Sequence, residues 1–179
     1  MLNKCLKSTV LTLLFVTQST GSVAATSSGT LTALIPWEGE GRVFRIAPET
    51  LMFLGAIEGI MYVRTREGKL DEGFVRCPIT QQLNLKDQTT TARGYCRIIA
   101  SGQDDVYAEV TCDGRVGLCE GTFTLTGGSG RFEGVTGSSK LLLRSPMRAL
   151  IKDIASGNVV RVGSGIAILE KLEYKLATE

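Results

Sequence analysis

A single carboxylate interrupts the apolar run LMFLGAIEGIMYV at residues 51–63. In a β-strand, Glu58 shares one face of this run with Tyr62 and with apolar side chains. If that face lined a barrel, Glu58 would be a candidate general acid, and Glu58 and Tyr62 would be candidate ligand-lining residues. The sequence favours the alternative, in which this face points outward or Glu58 pairs with an arginine. The candidate partners are Arg42, Arg64 and Arg97.

The chain contains no histidine, which excludes Ser-His-Asp and Cys-His catalysis and every His-ligated metal site. Asp104 and Asp105 are adjacent, and two such acids do not supply the ligand set of a calcium loop. The stretch GGSGRFEGVTG at 127–137 lacks the G-K-[ST] of a phosphate-binding loop. Both segments are predicted to be turns, and we expect neither a metal nor a cofactor.

Cysteine is the other reactive residue type. Cys5 falls in an N-terminal leader, which leaves Cys77, Cys96, Cys112 and Cys119. An even number in an oxidising compartment predicts two disulfides, whereas a zinc site is disfavoured because no C-x₂-C pair is present. All four lie on the apolar faces of predicted strands. Bridges between neighbouring strands, Cys77–Cys96 and Cys112–Cys119, are therefore favoured, and Cys96–Cys112 remains an alternative.

The elements that would position these residues are short strands separated by Gly-rich turns, because apolar residues alternate with period 2 and no long helical pattern is present. This pattern indicates an all-β sandwich or barrel. Turns are expected at, among others, the EGEG segment (38–41), and one short helical turn is expected at 148–154. The predicted strands are Thr30–Ile35, Arg42–Ile46, Leu51–Arg64, Gly73–Leu85, Thr90–Ser101, Val106–Cys112, Gly121–Thr126, Ser139–Arg148, Val159–Val162 and Gly165–Leu176.

Residues 1–25 have the features of a cleavable signal peptide: a basic start, a short apolar run and small residues before Thr26. The apolar run is too short to span a bilayer as a helix. Lys4 and Lys7 are the only charged residues in this leader, so the remaining chain carries 18 residues of each sign. We therefore expect a single exported domain at 26–179, periplasmic or secreted, without a transmembrane segment after cleavage. A near-neutral domain without a basic cluster is not expected to bind nucleic acid.

Four segments between Glu40 and about Arg144 resemble a bacterial family of exported proteins with an allene-oxide-cyclase-like barrel. They are MFLGAIEGIMYV (52–63), with the spacing F-x-G-x-x-x-G; VRCPIT (75–80), with Cys-Pro; GYCRIIASGQDDVYAEVTCDG (94–114); and CEGTFTLTGGSGRFEGVTG (119–137). The last segment is the most specific, although Ser129 stands where Thr is expected. Similar Gly-rich hairpins occur in plant dirigent proteins. The resemblance implies an antiparallel up-and-down β-barrel of about eight strands with an apolar interior.

Three functions are compatible with such a barrel. The first is a module that binds a small lipophilic molecule in the apolar interior. The second is a cofactor-free isomerase or cyclase that holds a reactive substrate in one conformation. The third is a structural or interaction protein of the cell envelope with a filled barrel. Homo-oligomerisation is compatible with each. We rank the binding module first because it assumes least about chemistry, and fold alone does not decide among them.

Overall fold

The computed structural model describes residues 27–146 and 163–177. Eight antiparallel strands pair in chain order, and the pairing of the first strand with the last closes the barrel. The fold class predicted from the sequence is therefore confirmed. The leader at 1–25, the helical turn at 148–154 and the strand at 159–162 lie outside the described residues.

The strands differ in length, and the first two are long. A short 3₁₀-helix, Gly130–Phe132, precedes the seventh strand. The strands are β1 (Ser27–Ala47), β2 (Thr50–Thr65), β3 (Leu70–Asn84), β4 (Thr89–Ala100), β5 (Asp105–Arg115), β6 (Leu118–Gly128), β7 (Thr136–Arg144) and β8 (Gly163–Leu176).

The first strand corrects the prediction of a turn at EGEG. Two predicted strands and the segment between them form one continuous strand, in which Gly39 pairs with Gly163 and Gly41 pairs with Gly55. The Phe53 ring packs where a side chain on Gly41 or Gly55 would lie. Glycine is needed here for close packing under an aromatic ring inside a strand, not for a turn.

Apolar side chains alternate inward along every strand and form one main core. Phe123, Leu141 and Leu169 belong to it, and each is no more than 5% exposed. A smaller cluster of Leu51, Leu83 and Val116 lies apart from it. The alternation therefore orients the strands as the sequence pattern predicts.

Both favoured disulfides are present. Cys77 on β3 is bonded to Cys96 on β4, and Cys112 on β5 is bonded to Cys119 on β6. All four cysteines are buried. In a chain-entropy treatment of loops of 19 and 7 residues, the bridges stabilise the fold by about 3.2 and about 2.4 kcal/mol, respectively.

Candidate functional site

Glu58 and Tyr62 lie on the outer face of β2, so these two candidate ligand-lining residues do not line the barrel interior. Tyr62 is 49% exposed. Glu58 directly faces Arg76 on β3, and its Oε1 lies 2.7 Å from Arg76 Nε. The outward reading of Glu58 is thus right, but its partner is Arg76 and none of the arginines considered from the sequence.

The opposite face of β2 explains this orientation. Ile57, Met61 and Val63 alternate with Glu58 and Tyr62 and contribute to the core. Placing Ile57 and Met61 inside buries apolar surface, whereas the other register would bury a carboxylate among apolar groups at a large cost. The signal that could have identified the lining residues was the uninterrupted apolar character of this face.

An apolar cavity of about 280 Å³ lies at one end of the barrel, which we call the mouth. The mouth is formed by the starts of the odd-numbered strands and the ends of the even-numbered strands. The cavity reaches the surface, because exposed Asp71 and Arg131 are part of its lining. The apolar side chains of this lining are Leu31, Met61, Val63, Ile98, Ala100, Val106, Phe123, Leu125, Phe132, Val135, Leu172 and Leu176, with Tyr174 beside them.

Polar groups at the mouth bond to one another. The Ser101 hydroxyl donates to Asp71 Oδ1 at 2.9 Å, and the Arg131 guanidinium donates to the Ser101 carbonyl. Arg131 also pairs with Asp104 at 3.4 Å. The Glu72 backbone N–H, then the Ser101 hydroxyl, lower the pKa of Asp71 by stabilising its carboxylate. These contacts fix the rim around an apolar cavity.

A second, outer network ties β4 to β5. Arg97 donates two hydrogen bonds to Asp105, at 2.9 and 3.0 Å, and Tyr107 donates a third at 3.2 Å. Arg97 and Tyr107 are on the outer face, and both are exposed. This network shapes the wall of the barrel and does not enter its cavities.

The described part of the chain contains no helix long and apolar enough to cross a membrane. Within the same residues, no group of three or more Cys, Asp or Glu side chains is arranged to hold a metal ion.

The fold and the cavity define the class: a closed, disulfide-bonded, eight-stranded antiparallel barrel with an apolar cavity at one end. No family model and no curated protein matches the sequence. Among solved structures, the chain is similar to a pterocarpan synthase dirigent protein, with 10% identity and a TM-score of 0.38, over 93% of this chain and 100% of that one. A likeness at this level carries no argument about function.

Proposed function

We propose that this protein is an exported binding module that holds a small lipophilic molecule in the mouth cavity. The observation that carries the proposal is the cavity itself: about 280 Å³ of space, lined mainly by apolar side chains and reaching the surface. Its volume is near the lower end of the range for small-molecule sites, which favours a compact ligand.

The lining supports a lipophilic ligand because burying apolar ligand surface there is favourable and leaves few polar groups unpaired. Two charged groups at the rim already have polar partners: Asp71 accepts a hydrogen bond from the Ser101 hydroxyl, and Arg131 pairs with Asp104. A filled barrel, as the structural hypothesis requires, would leave no such space. The isomerase hypothesis loses its candidate acid, because Glu58 is paired with Arg76 on the outer face.

Export is part of this proposal. Two disulfides in so small a domain fit an oxidising compartment, the periplasm or the extracellular space. A module that carries a poorly soluble molecule through water would be useful in either place.

The test is a titration of the full-length protein with a neutral lipophilic fluorophore, N-phenyl-1-naphthylamine. Val63→Phe enlarges an inward side chain in the cavity and is expected to weaken binding about tenfold or more, equivalent to about 1.4 kcal/mol. Ala100→Leu serves as a second filling variant, because Ala100 also lines the cavity.

Native mass spectrometry of protein purified from its own cells should show a co-purifying lipophile.

Two outward substitutions on the same strand are the controls. Glu58→Gln and Tyr62→Phe should leave fluorophore affinity unchanged, because neither side chain lines the cavity. The proposal fails if these variants weaken binding while folded Val63→Phe and Ala100→Leu do not. It also fails if the native protein binds no fluorophore and purifies without any ligand, which would support the structural hypothesis.

A further inference from the structure

The outer surface of the barrel is apolar on one side and polar on the other. Outward threonines are frequent on β4, β5 and β6, among them Thr91, Thr111 and Thr122. The outward positions of β8, β1 and β2 instead carry a group of apolar side chains, which we call the belt. Five of them are exposed and one is half-buried. The belt consists of Leu34, Pro36, Ile60, Tyr62, Ile166 and Ile168.

The strand register arranges the belt in two rows that cross three strands. Leu34 pairs with Tyr62 on β2 and with Ile168 on β8, which makes the first row. Pro36 and its two neighbours on β2 and β8 make the second row. Side chains that face each other across neighbouring strands are in contact, so the belt is one continuous patch. Single exposed apolar residues are ordinary, whereas a continuous patch marks a surface that another molecule covers.

The belt has the apolar area that an interface between two copies of a protein needs. With Phe74, which faces Ile60 from β3, it exposes on the order of 500 Å² of apolar surface, near the upper end of the largest patch on a typical monomer. A standard interface buries about 800 Å² of each partner, and about 65% of a homodimer interface is apolar. This fraction amounts to roughly 500 Å² on each copy.

Charged residues flank the belt differently on its two sides. Beyond the second row, Glu38 on β1 directly faces Glu58 on β2, an arrangement of like charges that is destabilising. Glu58 pairs with Arg76, but within the described residues Glu38 has neither an ion pair nor a hydrogen bond. Beyond the first row lies Arg64 on β2, which also lacks a partner in the described part of the chain. An uncompensated acid and an uncompensated base thus lie on opposite sides of one apolar patch.

We propose that two copies of this chain pack belt against belt, about a two-fold axis that runs between the two rows. This axis places the first row of each copy on the second row of the other. On β2, Arg64 lies two residues beyond the first row and Glu58 two residues before the second. The same rotation therefore brings Arg64 of each copy over the Glu38–Glu58 pair of the other. Glu38 gains a counter-charge, and because the contact is isologous, assembly stops at the dimer.

The first test is the mass of the full-length protein, measured by analytical ultracentrifugation over a series of concentrations. We expect a monomer–dimer equilibrium. Tyr62→Ser should weaken it about tenfold or more, whereas Tyr95→Ser, which removes an exposed tyrosine of β4 outside the belt, should leave it unchanged. A monomer throughout the series, an assembly larger than a dimer, or equal effects of the two variants would overturn the proposal. Binding of a monomer to phosphatidylcholine vesicles through Tyr62 would likewise overturn it, and would assign the belt to a lipid surface.

The second test concerns the axis itself. Glu38→Arg and Arg64→Glu each place like charges opposite one another at both ends of the proposed interface, so each variant alone should associate about tenfold more weakly or worse. An equimolar mixture of the two should recover dimers, because the two native charges then face each other and so do the two introduced ones. The chain that carries both substitutions should also dimerise. Loss of association without recovery in the mixture would refute the two-fold arrangement.

Both substituted positions are exposed, so these variants should fold, and circular dichroism checks that they do. None of the substituted residues lines the mouth cavity. Binding of N-phenyl-1-naphthylamine should therefore persist in every variant, and the dimer and the proposed binding function can fail independently of each other.

Discussion

At the scale of single residues, Arg97 and Asp105 form an ion pair with two hydrogen bonds. The guanidinium contacts both carboxylate oxygens, a two-point geometry that a lysine could not reproduce. Its hydrogen bonds, together with the Arg97 charge and a weaker contribution from Tyr107, lower the pKa of Asp105 below the ordinary value of an aspartate. The pair joins adjacent strands at the point where the β4–β5 turn ends.

Acidification should weaken this contact. Because the pKa of Asp105 is lower in the folded protein, its stabilisation is fully present above the ordinary value and is lost as pH falls through the lowered one. Asp105→Asn should therefore reduce the thermal unfolding midpoint at neutral pH and flatten the decline of that midpoint as the pH falls below the ordinary pKa of an aspartate. Thermal unfolding followed by circular dichroism across this range measures both effects.

The matched control for that experiment is Asp113→Asn, which makes the same charge change at an exposed position of the same strand. It should leave the unfolding midpoint near the wild-type value. Equal pH profiles for Asp105→Asn and the wild type would show that the Arg97 contact does not contribute to acid sensitivity.

At the scale of the elements, the alternation of apolar residues predicted most of the strands, and the inward faces of the cysteine-bearing strands led to the correct disulfides. The prediction of a turn at EGEG was wrong because glycine is common both in turns and under packed aromatic rings. Which of these applies depends on Phe53, a residue on another strand. The sequence also shows the inner face of β2, where Ile57, Met61 and Val63 alternate with Glu58 and Tyr62. The candidate site was placed on the other face because Glu58 is the only charged residue in the apolar run 51–63.

The EGEG segment allows a comparison of two glycines in one strand. A methyl group added at Gly41 would lie 2.5 Å from Phe53 Cε2 and against the Leu54 carbonyl, whereas one at Gly39 makes only ordinary contacts. Gly41→Ala should therefore destabilise the protein by about 1–3 kcal/mol through overpacking. Gly39→Ala should stay close to the wild type in the same denaturant titration. Similar losses in both variants would contradict the role assigned to the Phe53 ring.

At the scale of the whole molecule, the pairing of β1 with β8 makes every strand the neighbour of two others. Loss of any strand would open the ladder and expose the core, so unfolding should be cooperative. Trp37 fluorescence, which reports on the interior, and far-ultraviolet circular dichroism, which reports on the strands, should give coincident denaturation curves with the disulfides intact. Two separate midpoints would mean that the barrel opens locally before it unfolds.

Cavities inside the barrel could not be predicted from the sequence. The apolar faces of individual strands can be recognised, but whether facing side chains fill a barrel depends on their volumes and on the stagger of all the strands. The paired glycines at Gly39 and Gly163 illustrate the difficulty: they are far apart in the chain and lie side by side only once the barrel closes.

Closure of the barrel also bears on how this protein behaves when it is concentrated. An open sheet presents unpaired backbone groups at its edges, and another chain can extend it into a fibril. The described strands close into a ring, but β1 pairs with β8 only from Ser27 to Gly39, so among the described strands residues 40–47 of β1 pair with β2 alone. Association of folded molecules through the fully paired part of the ring must use side chains, of which Leu34, Tyr62 and Ile166 are exposed apolar examples. Fibril growth through the fully paired strands would first require the ring to break, whereas residues 40–47 of β1 are the described segment to which another strand could add directly.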